Sequence, residues 1–354
     1  ISVMNRNPYL LLVSLLIFGG ASAQQNPGAP GKAAAQTLAP DHDTTYYRSF
    51  SGTIIARTYL SRSYLQFKME PPAGIALMSY PVNKPLSLGV GLTYKSFSFS
   101  FSKGLNFLQS NKDKGETKST DLQMHLYKRK WTIDLVASFY RGYYLNPRGL
   151  GVEDNHDYYV RPDVKIKMIG SSVHRVLNSK RFCYGAGLSQ NAWQQRSAGS
   201  FLLGGKAFYI TISGDSSFVP YSVDSNYYKS NIHKLHVFEI GPGIGYAYTL
   251  VLQKHYFLLG SFEENFNFRL SHETGNGIGA TKVGFSANYM LRLAAGYNTN
   301  RWGLTLAWLT TGTKLQGKEF DYKYTITAGN YRLVYARRLA INRKMKNIIG
   351  PDVD

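Results

Sequence analysis

The chain has 354 residues, with 41 Lys+Arg against 21 Asp+Glu for a formal net charge of +20, 14% aromatic residues including 27 Tyr, and one cysteine. The lone Cys183 excludes an intramolecular disulfide framework and a cysteine-based zinc site. Beyond the N-terminal region no run approaches the roughly 18 consecutive apolar residues of a membrane helix, so helical spans are excluded downstream.

Ile1-Ser2-Val3 precede Met4, the expected initiator. Arg6 supplies a positive charge, Tyr9 to Phe18 an apolar run, and Ala21-Ser22-Ala23 a small-residue cleavage site. This pattern predicts a cleaved export signal over residues 1–23. Residues 24–45, rich in Pro, Gly, Ala and Gln, read as a flexible periplasmic linker. Asp41-His42-Asp43 has metal-ligand residue types but no partner cluster, and neither a metal nor a cofactor is expected. For an exported basic chain a nucleic-acid partner is not expected. Anionic lipid headgroups, lipopolysaccharide included, are the expected counter-charge, and export and barrel-assembly machinery the expected handling partners. The sequence names no further protein partner.

Residues 46–340 alternate apolar with small or polar residues. The clearest run is Val283-Gly-Phe285-Ser-Ala287-Asn-Tyr289-Met-Leu291-Arg-Leu293-Ala-Ala295-Gly-Tyr297. Leu86 to Tyr94, Phe97 to Ser102, Trp131 to Phe139, Phe238 to Leu250 and Trp302 to Trp308 share the pattern. Side chains of a strand alternate between faces, so each run has one greasy and one small, wet face. Short connections, such as Lys128-Arg129-Lys130 and Gln253-Lys254-His255, alternate with long ones, such as Arg141 to Arg161. These features predict an all-β chain: an antiparallel transmembrane β-barrel of about 12 strands, within a range of about 10–14, in the bacterial outer membrane. The strand placement of residues 191–234 stays open. Pro242 reads as a bulge, and a second bulge near Gly329 is expected to restore the face after Tyr322, Tyr324 and Ile326. Residues 341–354 form a C-terminal tail without strand pattern.

Several local motifs occur in order: Asp43-Thr-Thr-Tyr-Tyr47, Thr117-Lys-Ser-Thr-Asp-Leu-Gln123, Tyr127-Lys-Arg-Lys-Trp131, Tyr140-Arg-Gly-Tyr-Tyr144, Gln195-Arg-Ser-Ala-Gly-Ser200 and Asp215-Ser-Ser-Phe-Val-Pro220. In this order the chain, over roughly Asp43 to Leu339, resembles the outer-membrane barrels grouped as domain of unknown function 4421, found mainly in Bacteroidota. The resemblance implies location and fold; it implies no activity and transfers no catalytic residue.

Asp134, Lys165, Lys167, Glu239, Glu263, Arg269 and Arg292 are predicted to line the lumen, as a polar channel or as a salt-bridged filling. The motif Gln195, Arg196, Ser197, Ala198, Gly199, Ser200 has no assigned role. Ser197 or Ser200 as the nucleophile of an outer-leaflet lipid hydrolase is the alternative, although G-x-S-x-G and H-E-x-x-H are absent. Arg141 with its tyrosines is placed at the outer headgroup level, and Trp193 at a membrane interface. The expected role is passive: a porin-like narrow pore, a small-molecule or lipid conduit, or an envelope scaffold.

Overall fold

A computed structural model describes residues 41–340 except 51, 71–75, 95–96, 106, 108–110, 155, 224–230, 276–277 and 317–322. The predicted export signal, most of the linker and the C-terminal tail lie outside the described residues. In chain order the strands are β1 (Tyr47–Ser49), β2 (Thr53–Met69), β3 (Met78–Tyr80), β4 (Ser87–Tyr94), β5 (Phe97–Gly104), β6 (Lys118–Tyr127), β7 (Trp131–Tyr144) and β8 (Val160–Val176). A one-turn helix α1 (Gly185–Leu188) follows, then β9 (Ala192–Gln194), β10 (Ala198–Ser213), β11 (Ile232–Leu252), β12 (Tyr256–Gly275), β13 (Ile278–Asn298), β14 (Trp302–Gln316) and β15 (Lys323–Ala340).

Twelve strands form one sheet in the order β5-β4-β2-β15-β14-β13-β12-β11-β10-β8-β7-β6, with β3 added beside β2. Every ladder is antiparallel. The last strand returns to the first long one, Thr53–Met69 pairing with Tyr324–Ala340, so the sheet curls into a barrel. Curling follows from the solvent: in lipid each backbone N–H and C=O must find its partner within the sheet. Closure is incomplete at one place. The two end strands, β5 and β6, lie side by side, and among the described residues no ladder joins them.

The two faces are inverted relative to a soluble protein. Phe262, Phe266, Phe285 and Leu306 are exposed on the outside, whereas Glu263, Asn265, Asn267 and Asn288 are fully buried inside. Near the short turns at 253–255 and 299–301 the rings of Tyr256, Tyr297, Trp302 and Tyr335 pack in series, with centroids 5.0, 5.3 and 6.3 Å apart. This is an interfacial aromatic girdle, and the short turns mark the periplasmic end.

The interior has three levels. At the extracellular end an apolar core joins Leu65, Phe67 and Met69 of β2 to Ile166 of β8, Ile210 of β10 and Val237 of β11. Loop residues fill its axis: Phe218 packs on Phe67 at 5.6 Å and its carbonyl accepts from the Tyr80 hydroxyl. Arg161 anchors that loop by donating to Ser217 O at 2.7 Å and clasping Asp163 through two 2.8 Å bonds. A charged layer occupies the middle. At the periplasmic end residues 177–197 turn inward, and β9 pairs with β1 of the entering chain.

Two predicted bulges are absent. The β15 ladders keep one register on both sides from end to end, past Gly329. Tyr324, Ile326 and Ala328 face inward with Asn330 and Val334, and Tyr331, Leu333 and Tyr335 face lipid. The apparent loss of phase records a change in the interior, apolar above and polar below. Pro242 likewise keeps register: Ile240–Phe268 and Gly243–Asn265 are in one register, and the shift in this ladder falls instead at Ile232/Lys234. The segment of uncertain placement supplies a full wall strand, β10, between β8 and β11.

Phe67→Ala is expected to lower stability in lipid vesicles by about 3 kcal/mol, the cost of a large cavity in a packed core. Phe285→Ala, facing lipid, should change the guanidinium unfolding midpoint far less.

Candidate functional site

The middle layer is assembled from opposite walls. Arg292 on β13 donates through Nη2 to Asp134 Oδ2 on β7 at 2.6 Å and through Nη1 to Glu263 Oε1 on β12. Nη1 also donates to the Tyr184 hydroxyl at 2.7 Å. Asp134 accepts further bonds from Tyr127 at 3.0 Å and Ser172 at 3.4 Å, and lies 2.6 Å from His125 Nδ1. His174 Nδ1 lies 3.3 Å from Glu263 Oε2 without hydrogen-bonding geometry. Such a group survives burial because both carboxylates share one guanidinium whose fixed fork reaches both.

Tyr184 ties this layer to the inward segment. It precedes α1, and its hydroxyl also bonds Glu263 at 3.2 Å. Gln194 anchors the same segment, its amide donating to Arg181 O at 2.7 Å and its side-chain oxygen accepting from Cys183 N at 3.0 Å. Arg338 closes the periplasmic rim, donating to Thr299 O at 2.8 Å and Asn298 Oδ1 at 2.9 Å over the ring of Phe50. Trp193 belongs to this plug and not to the membrane interface. It is buried, donates to Lys254 O at 2.7 Å and packs on His255.

Beside the layer a cavity of about 500 Å³ runs to the β5–β6 seam. Its inner wall is mixed, with Arg57, Ser61, Ser100, Gln123 and Arg332 set among apolar Ala307, Leu309 and Val334. Its rim includes Phe99, Phe101 and Leu122, outward residues exposed by 75, 65 and 61%. One cavity therefore touches both the lumen and the lipid face. Gly89 and Gly91 of β4 shape the inner wall. A Cβ at Gly89 would meet the Tyr59 ring at 2.3 Å, and one at Gly91 the Ser100 hydroxyl at 2.7 Å. Tyr59 thus lies flat against β4 and carries the Arg332 guanidinium over its ring at 4.8 Å.

Of the predicted lumen residues, Asp134, Glu239, Glu263, Arg269 and Arg292 are buried inside. Asp134, Glu263 and Arg292 meet directly. Glu239 sits apart, accepting from Ser286 at 2.8 Å and Asn288 at 2.6 Å, with Arg269 opposite it in register. Lys165 and Lys167 are a correction: Val164, Ile166 and Met168 take the inward face of β8 there, and the lysines point out. The interior at that height is apolar, so the charged set faces outward. Arg141 also faces out, while Tyr140 and Tyr143 of its motif are buried. Register places Lys118, Arg141, Lys165 and, beyond Ser213, Lys234 in one row along the extracellular edge.

The Gln195–Ser200 motif is the exit of the plug into β10. Gln195 N and Arg196 N donate to Tyr46 O at 2.7 and 3.2 Å, and the Arg196 guanidinium lies over the Tyr46 ring. Ser197 Oγ accepts from Val251 N at 2.9 Å; Ser200 Oγ accepts from Asn178 N at 2.9 Å and donates to Phe201 O at 2.8 Å. Ala198 and Gly199 pair with Thr249 and Tyr248 in the wall. Among the described residues neither hydroxyl bonds a histidine or carboxylate, the base a serine nucleophile needs. Arg57 and Arg332, absent from the predicted set, are signalled by their phase on β2 and β15 and, for Arg57, by Gly91 opposite it.

A nearly closed antiparallel wall, an apolar outer belt and an interior carrying buried charge define a transmembrane β-barrel of the bacterial outer-membrane type. Residues 41–336 match the family described as domain of unknown function (DUF4421), and the chain belongs to that family. No curated protein matches it. Solved structures similar to it include in-vitro folded OmpT, an outer membrane protein of Vibrio cholerae, at 8% identity over 81% of this chain and 96% of that chain, TM-score 0.27. The P. putida toluene transporter TodX is 6% identical over 82% and 91%, TM-score 0.24. The translocator domain of autotransporter NalP from Neisseria meningitidis is 8% identical over 85% and 90%, TM-score 0.30.

Arg292→Met should destabilise the barrel by about 3–5 kcal/mol, since two buried carboxylates lose their shared cation. Adding Asp134→Asn and Glu263→Gln should recover much of the loss, as read by denaturant unfolding in vesicles.

Proposed function

We propose that this outer-membrane barrel is a passive, side-entry conduit: amphiphilic molecules pass between the surrounding leaflet and the lumenal cavity through the β5–β6 seam. The observation that carries the reading is the cavity of about 500 Å³ whose inner wall carries Arg57, Arg332 and the β5 serines and whose rim is Phe99, Phe101 and Leu122. A porin-like axial pore is disfavoured by the filling at three levels: the apolar core, the Arg292 layer and the Tyr184 plug.

Membrane lipid fits the surroundings of the seam. The row sets Lys118, Arg141 and Lys165 side by side on neighbouring strands, with Lys234 one strand further on beyond Ser213. That arrangement is unfavourable alone and is relieved by the phosphates of lipopolysaccharide or other anionic lipid. As an exported barrel the chain would reach this setting through export and barrel-assembly machinery.

In planar bilayers the folded protein is expected to leave ion conductance at the background level. In a Cys183→Ser background, fluorophores on Ser102→Cys or Gln123→Cys, inner-wall positions beside the seam, should be quenched by lipids spin-labelled on the acyl chain. Steady axial conductance together with unquenched probes would overturn side entry.

A further inference from the structure

We infer that Arg57 and Arg332 bind the phosphate- or carboxylate-type head of an amphiphile whose tail lies along Phe99, Phe101 and Leu122; this rests on the side-entry reading above. The starting point is a contrast between inward-facing arginines. Arg292 has two carboxylates within reach. Arg57 is 8% exposed and lies on the inner wall of the cavity; among the described residues it bonds the Ser100 hydroxyl through Nη2, at 3.3 Å, and its Nε has no partner. Arg332 lines the same cavity, lies over Tyr59, and its Nε is also unpartnered.

The pair has no anion of its own. Among the described residues neither guanidinium forms an ion pair. Asp121, the carboxylate on the same cavity wall, is committed to Lys84 at 2.7 Å and the Tyr140 hydroxyl at 2.6 Å. Arg57 and Arg332 are electrostatic neighbours and repel each other. Two like charges in a low-dielectric lumen, each with a free donor, are an incomplete set: the missing member is an anion that accepts several bonds at once.

The rim states what the anion is attached to. A free inorganic anion would use the polar wall and leave the apolar rim idle. A head on the arginines with an apolar tail crossing the seam uses both and keeps the tail in contact with lipid. The Ser98, Ser100 and Ser102 hydroxyls, on the inner face of β5, alternate with Phe97, Phe99 and Phe101 on the outer face, so one strand carries both chemistries.

The test is calorimetric titration of the folded barrel, held in a neutral detergent, with dodecyl phosphate, inorganic phosphate and dodecyl maltoside. Dodecyl phosphate should bind best, and Arg57→Gln/Arg332→Gln should weaken it by about tenfold or more, the loss of one or two charge-assisted bonds. Arg57→Lys/Arg332→Lys, which keeps the charge, should retain most of the affinity. Because the arginines repel, the Gln pair should fold at least as stably as the wild type, unlike Arg292→Met. Equal binding by the wild type and the Gln pair would overturn the site. Inorganic phosphate binding as tightly as dodecyl phosphate would overturn the amphiphile assignment. Arginine-dependent binding of dodecyl phosphate without quenching of the seam probes would leave the site standing and remove side entry alone.

Discussion

The interior of this barrel depends on one cation shared by two walls. Arg292 reaches Asp134 across the lumen and Glu263 on the adjoining strand, and through Tyr184 it holds the inward segment. Each charge would be expensive alone in a medium with little water; together they satisfy most of one another's donors and acceptors. The arrangement also decides what the barrel cannot be. A guanidinium clamped between opposite walls occupies the axis, and the apolar core above and the plug below continue the obstruction. What free volume remains is displaced to one side.

That side is where the wall is weakest. β4, β5 and β6 have 8, 8 and 10 residues, against 21 for β11 and β13. Short strands offer few bonds, and the seam falls between the two of them that end the sheet. Unpaired edges facing hydrocarbon are costly, so the seam is the least favourable stretch of the wall, and the proposed occupant would offset that cost.

The inward-facing arginines illustrate two uses of one side chain. Arg292 is neutralised by the protein and acts as a structural tie. Among the described residues Arg57 and Arg332 have no carboxylate partner; one lies on a serine and one on a tyrosine ring, beside the cavity at the β5–β6 seam. Their pairing comes from β2 meeting β15, where the first long strand of the chain joins its last.

Much of the wall was legible in the sequence. Period-two runs such as Val283 to Tyr297 specify strands whose greasy side needs lipid, and the alternation of short and long connections gives the strand count. Asp134, Glu263 and Arg292 were legible as inward residues for the same reason. Lys165 and Lys167 were not, because periodicity separates two faces without saying which faces in; at the extracellular end the interior is itself apolar and the rule inverts. The even spacing of Tyr324 and Ile326 resembles a slip for that reason. Trp193, the plug, the seam and the Arg57–Arg332 pair depend on contacts between residues far apart in the chain, which local pattern does not encode. The sequence alone thus determined the strands and their membrane setting, since these follow from each residue's affinity for lipid or water. Which face turns inward at each height, what fills the lumen and where the wall stays open were decided by tertiary structure, because those outcomes rest on how distant strands meet when the sheet curls.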